Sequence, residues 1–154
     1  MYIEYVHLWQ SHKLHIMQGR KQYEEKLFTQ VQLSRRIPKD NFYRQLKRNL
    51  KTKHIYKLTE QYYGNKGKKS LDPVVFFKLC FIKKQEGLSS DLKLINLCQI
   101  RLDLLFFLDY NLDDKLPHPN TLSKTRHLFP NTLFDSIMEG IQEAVEKTNE
   151  SLKD

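Results

Sequence analysis

The stretch that most constrains the fold runs from Ser70 to Gly87, SLDPVVFFKLCFIKKQEG. Asp72 is a natural helix N-cap, Pro73 suits a first helical turn that needs no N–H, and Gly87 is placed to end the helix in a left-handed cap. Between these signals Val74, Val75, Phe76, Phe77, Leu79, Cys80, Phe81 and Ile82 are apolar on every side. A helix apolar all round has to be buried, so this segment is predicted to be the spine of a helical domain. Lys78 is its only early charge, and Lys83, Lys84 and Glu86 mark its emergence into water.

The remaining segments are expected to pack on that spine. Pro38 disfavours helix at Ile37, so 34–38 is predicted to be a break, and Asp40 or Asn41 is predicted to cap a helix reaching about Leu50. Phe42, Leu46 and Leu50 share one face of it, opposite Arg44, Lys47, Arg48 and Lys51. A further piece over 54–63 carries Ile55, Leu58 and Tyr62 at helical spacing, and the loop 63–69 is rich in glycine and lysine but lacks phosphate-loop spacing. After the spine, Ser89 and Ser90 precede an apolar helix, and Leu102 to Leu108 (LDLLFFL) predicts a second buried helix against the first. Asn120 or Thr121 is expected to cap a helix ending near Leu128 or Phe129, with Leu122 and Leu128 turned inward. A last helix from Thr132 to about Lys147 puts Leu133, Phe134, Ile137, Met138, Ile141 and Val145 on one stripe, followed by a polar, frayed end.

Nothing alternates with period two for long, so the fold class is all-α: about five to seven helices with a helix-turn-helix-like element. The expected organisation is an extension over 1–16, upstream of the genuine start, a helical domain over 17–147 and a polar tail over 148–154.

Charge separates the halves of the 154-residue chain: residues 1–69 carry sixteen Lys and Arg against five acids, a balance of +11, while 70–154 carry ten against thirteen, −3. The basic half is the candidate surface for a polyanion, set against the plainer reading of a solvated lysine-rich face. No run of about 18 uncharged apolar residues exists to span a membrane, and 1–16 lack a signal-peptide core, which predicts a cytoplasmic, nucleoid-associated protein. Cys80 and Cys98 lie in apolar helical sequence and read as buried thiols. His7, His12 and His15 have no Cys or acid at ligand spacing, so neither metal nor cofactor is expected. Asp103, Asp109, Asp113 and Asp114 invite an enzyme reading, but they lie on a helix and a loop and read as caps or a solvated face.

The binding signals are stronger. The segment 119–127 has the form of a second helix of a helix-turn-helix, with Thr121, Ser123, Lys124 and Arg126 as candidate base contacts. Arg35, Arg36, Arg44, Lys47, Arg48, Lys51, Lys53, Lys66, Lys68 and Lys69 are the candidate phosphate contacts.

The succession 72–79 (DPVVFFKL), 87–89 (GLS), 106–110 (FFLDY) and 120–126 (NTLSKTR) resembles the N-terminal, InsH-type domain of bacterial insertion-sequence transposases of the DDE class. The resemblance covers about Lys26 to Glu143, and departs from the pattern at Asp109-Tyr110, where a glycine is common, and at Lys124-Thr125. It implies binding of double-stranded terminal inverted-repeat DNA by a truncated or split transposase. The family's RNase H-like catalytic region would lie beyond Asp154, so no enzymatic activity is expected. Further partners implied are a second copy or a full-length transposase. The alternative is a dimerising or inhibitory helical module without specific DNA binding, its apolar surface lying at Phe106, Phe107 and the 133–145 stripe.

Overall fold

The computed structural model describes residues 19–64 and 70–153. The chain divides into two units, 1–30 and 31–154. The described part of the first, 19–30, forms no helix or strand and leaves its side chains exposed.

The second unit is all-helical among the described residues. Its helices are α1 (Leu33–Arg36), α2 (Phe42–Asn49), α3 (Thr52–Thr59) with a 3-10 turn at Glu60–Tyr62, α4 (Pro73–Gln85), α5 (Asp91–Ile100), α6 (Leu102–Leu108), α7 (Pro119–Arg126) and α8 (Asn131–Ser151). That is one more α-helix than the five to seven expected, because 34–38 is not simply a break. Leu33 to Arg36 form a single helical turn, with Leu33 and Ile37 packed on Leu105 of α6. Ile37 is extended, as Pro38 requires.

The spine behaves as its sequence dictates. Asp72 accepts from the Val75 N–H at 3.1 Å, Pro73 occupies the first turn, and Gly87 adopts φ 63°. At that end Leu88 N–H reaches the Lys83 carbonyl (2.9 Å) and Gly87 N–H the Lys84 carbonyl (3.2 Å), the paired bonds of a Schellman cap. α4 packs against α3, α5, α6 and α8. Phe76 and Phe77 are fully buried with Phe129, their centroids 5.6 and 5.3 Å from its ring, and Phe134 closes on Phe77 at 5.5 Å. Burial of each such side chain contributes about 1.5–3 kcal/mol. The link from α7 to α8 is thereby fastened to the spine.

Three local expectations fail. α7 is capped by His118, whose Nδ1 accepts from the Asn120 N–H at 3.1 Å, rather than by Asn120 or Thr121. Leu128 is exposed and Phe129 takes the inward position, because α7 ends at Arg126 and the chain turns before reaching Leu128. α8 does not fray near Lys147: it continues to Ser151, and the buried Thr148 hydroxyl donates to the Ala144 carbonyl (2.7 Å) and accepts from Asn49 Nδ2 (2.9 Å).

α6 ends in the same way as α4, with Asp109 in place of glycine at φ 65°. Tyr110 N–H reaches the Leu105 carbonyl at 3.0 Å and Asp109 N–H the Phe106 carbonyl at 3.3 Å. A non-glycine residue in this conformation costs about 1–2 kcal/mol. The Asp109 carboxylate supplies a compensation, described next.

Candidate nucleic-acid interface

The cations of α2 do not form one solvated face. Arg44 donates through Nη1 to the carbonyls of Ser34 (2.6 Å) and Ile37 (2.7 Å) and lies over the Phe106 ring. It satisfies the end of α1, which has no turns to spare. Lys47 donates to the Phe106 carbonyl (2.7 Å), pairs with Asp109 and sits 4.2 Å from the Phe106 ring centroid. From the spine, Lys78, only 1 % exposed, donates to the Phe107 carbonyl (2.6 Å) and to Asp109 Oδ2 (2.8 Å). Two ammonium groups and one carboxylate therefore finish the C-terminus of α6, where cations are favoured. Burial lowers the Lys78 pKa, opposed by Asp109; burial raises that of Asp109, and the hydrogen bonds from Lys47 and Lys78 outweigh it, so the carboxyl is held below its usual range.

Two further acids, Glu86 and Asp103, are similarly committed. Arg101 reaches Glu86 (2.9 Å) and Asp103 (2.6 Å), and Asp103 also accepts from Asn41 Nδ2 (3.3 Å) and the Leu104 N–H (3.0 Å). Asp103 and Asp109 are thus both ion-paired, Asp103 largely buried and Asp109 still open to solvent. Among the described residues no group of three or more His, Cys, Asp and Glu is placed to hold a metal.

Four uncommitted cations lie around the α2–α3 turn. Asn41 caps α2 by accepting from the Arg44 N–H, and only Leu50 and Lys51 separate α2 from α3. Ile55 and Thr59 are buried, which turns Lys53, His54, Tyr56 and Lys57 outward. Arg48, Lys51, Lys53 and Lys57 are exposed, and among the described residues none makes an ion pair or a side-chain hydrogen bond. Lys53 and Lys57 are four apart on one helix, where like charges repel. Lys51 and His54 also line a shallow groove of about 270 Å³ whose far wall is Glu139, Glu143 and Lys147 of α8. Arg35 and Arg36 are exposed at the end of α1, while Lys66, Lys68 and Lys69 lie outside the described residues. His54 and Lys57 were not singled out from sequence; their signal is the inward spacing of Ile55, Leu58 and Tyr62, which sets the outward face.

α7 divides in the same manner. Leu122 and Thr125 face inward, and the Thr125 hydroxyl donates to the Thr121 carbonyl. Ser123 donates to Asp91 at 3.3 Å and Arg126 reaches the same carboxylate at 3.5 Å, while Lys124 is exposed. The connection from α6 to α7 spans 109–118, so the tight two-helix turn carrying outward cations is α2–α3.

A transposase-domain profile (DUF772) matches residues 31–128, from the first residue of the helical unit to the end of α7 and the two residues after it. The chain belongs to this transposase domain family. No curated protein and no solved structure matches it. Family membership makes the chain transposase-related, and places α1 to α7 within the domain. No helix among the described residues is long and apolar enough to cross a membrane.

Of the apolar residues named for a protein-binding module, Phe107, Ile137, Ile141 and Val145 are core, whereas Leu133, Phe134 and Met138 are partly buried against it and Phe106 is partly covered by Arg44 and Lys47. Cys80 and Cys98 are free, buried thiols, as the sequence suggests.

Proposed function

We propose that this chain is the DNA-binding part of an insertion-sequence transposase and recognises terminal inverted-repeat DNA on the nucleoid. The observation that carries the reading is the set of uncommitted cations, Arg48, Lys51, Lys53 and Lys57, around the α2–α3 turn of a transposase-family domain. Repulsion within such a set is relieved by a polyanion, and among the described residues none of the four makes an ion pair. Arg44 and Lys47 leave the phosphate-contacting set, being held by carbonyls and Asp109. Lys124 and Thr121 remain the candidates for base contacts on α7. The role is binding and positioning rather than strand chemistry, since Asp103 and Asp109 serve Arg101, Lys47 and Lys78.

Four phosphate contacts give a salt slope of about −3.6, so affinity for duplex DNA should fall by roughly 10² between about 50 and 200 mM salt. The test is binding of the purified chain to a labelled terminal repeat against scrambled duplex of equal length over that range. A preference for the repeat that persists as salt rises supports the reading. Absence of duplex binding at low salt refutes it.

A further inference from the structure

A second cationic feature lies where α4 ends and α7 ends. Cys80, Lys83, Lys84, Leu88, Arg126 and Phe134 line a notch of about 350 Å³. Three cations therefore converge on one concavity. Among the described residues the one carboxylate bonded to them, Asp91 at the start of α5, is not part of the lining: Oδ1 accepts from Lys83 at 2.7 Å, and Oδ2 lies 3.5 Å from Arg126 and 3.3 Å from the Ser123 hydroxyl. Burial raises the Asp91 pKa, but the bonds from Lys83 and Arg126 dominate and hold the carboxyl below its usual range, so it stays ionised. Its placement fixes Lys83 and Arg126 without neutralising all three cations, and Lys84 is exposed with no ion pair among the described residues.

Arg126 meets Asp91 through one nitrogen, at 3.5 Å, and the Cys80 thiol beside it, which leaves further donors of its five-donor fork for another acceptor. Lys83 and Lys84 add ammonium donors, and Leu88 and Phe134 complete the lining of this open notch. Tetrahedral oxyanions are bound by this combination of a guanidinium fork and ammonium point charges. A metal cation is disfavoured by the surplus of positive charge.

We propose that the notch between α4 and α7 is a phosphate-binding site, with Arg126 and Lys84 as its principal donors and Lys83 as a supporting charge held by Asp91. Arg126 is then a phosphate contact rather than a base reader. The site adds a contact to the DNA reading above but does not depend on it, since the same donors accept either a backbone phosphodiester or free phosphate.

Cys80 provides a reporter. Burial pushes its thiol up to about 11, and it lies in the notch beside Arg126, whereas Cys98 is fully buried outside it. Alkylation by neutral iodoacetamide at mildly alkaline pH, resolved by peptide mass spectrometry, should be followed with no addition, with duplex DNA, and with inorganic pyrophosphate at matched ionic strength. At three times its Kd an occupant should slow Cys80 labelling about fourfold. Cys98 should be unaffected, and Lys84→Ala and Arg126→Gln should each remove the protection while Lys115→Ala does not. Protection by both additives supports the site; protection by DNA alone assigns it to backbone phosphate, and by pyrophosphate alone to free phosphate. Pyrophosphate protection of a chain that binds no duplex would retain this site while refuting the DNA reading. No protection of Cys80 by either, equal protection of Cys98, or protection that survives in Lys84→Ala and Arg126→Gln would overturn the proposal.

Discussion

Arg44 and Lys47 on α2 and Lys53 and Lys57 on α3 look alike in the sequence: basic residues on short amphipathic helices in the same positively charged half. In the fold they differ entirely. The first pair is turned onto the ends of α1 and α6, where Arg44 reaches two carbonyls and Lys47 reaches the Phe106 carbonyl and Asp109. The second pair stands in solvent with no acid or carbonyl partner among the described residues. A basic half-chain is therefore two things at once: part of its charge holds the helices together, and only the remainder is free to meet DNA. Mutations should separate these two populations.

The largest effect is expected where the internal charges meet. Asp109→Ala leaves Lys78 buried without its counter-ion. Loss of a fully buried partner costs about 3–5 kcal/mol, but Asp109 is 61 % exposed and screened, so we expect about 2 kcal/mol by chemical denaturation. Asp109→Gly should recover about 1 kcal/mol of that, because glycine accepts φ 65° without strain. Lys78→Met, which removes the charge and keeps the volume, should be tolerated far better than Asp109→Ala. A cost for Asp109→Ala no larger than for the exposed Lys124→Ala would show that the network is incidental.

Arg44→Ala comes next, at about 1 kcal/mol, because it strands two part-buried carbonyls at the end of α1. Its salt slope on duplex DNA should match the wild type at temperatures where both are folded. A reduced slope with unchanged stability would move Arg44 to the DNA-facing population.

The acid limb gives a broader test. Asp91, Asp103 and Asp109 all have lowered pKa values, burial working against the shift in each and bonded cations prevailing. A carboxyl lowered on folding contributes stability above its unfolded pKa of about 3.9, and that contribution disappears as pH falls through the folded value. Stability should therefore decline below about pH 5, and Asp103→Asn should flatten the decline. An unchanged pH profile in Asp103→Asn would contradict the pairing with Arg101.

The smallest stability effects belong to the free cations. Lys51→Ala, Lys53→Ala and Lys57→Ala should each alter stability by less than about 0.5 kcal/mol, and each should lower the salt slope by about 0.9. A single substitution that unfolds the domain would place that lysine with Arg44 instead.

Local signals made much of this fold legible. Asp72, Pro73 and Gly87 bracket α4 because caps and left-handed turns are decided within a few residues, and the all-apolar run between them had to be buried. The inward face of α3 was legible only in part: Ile55 is buried and Leu58 and Tyr62 partly so, as their spacing implies, but the buried Thr59 carried no apolar signal. The fates of Arg44, Lys47 and Arg126 were not, since the partners of Lys47 and Arg126 lie 59 and 35 residues away and are brought near only by tertiary packing. The persistence of α8 past Lys147 depends likewise on Asn49, 99 residues from Thr148. The His118 cap is not legible in the sequence, because an imidazole nitrogen is an unusual helix cap. Asp109 is the instructive case: it adopts the left-handed turn that favours glycine at a helix end and uses its carboxylate to hold Lys47 and Lys78.

The central claim is that the cations of the α2–α3 turn hold DNA. Its most direct test is the triple substitution Lys51→Ala, Lys53→Ala and Lys57→Ala, compared with the wild type on terminal-repeat duplex from about 50 to 200 mM salt, with thermal unfolding recorded in parallel. We expect an unchanged melting temperature, weaker binding at low salt and a slope reduced by about 2.7. Wild-type affinity and slope in the triple variant, or no duplex binding by the wild-type chain, would contradict it.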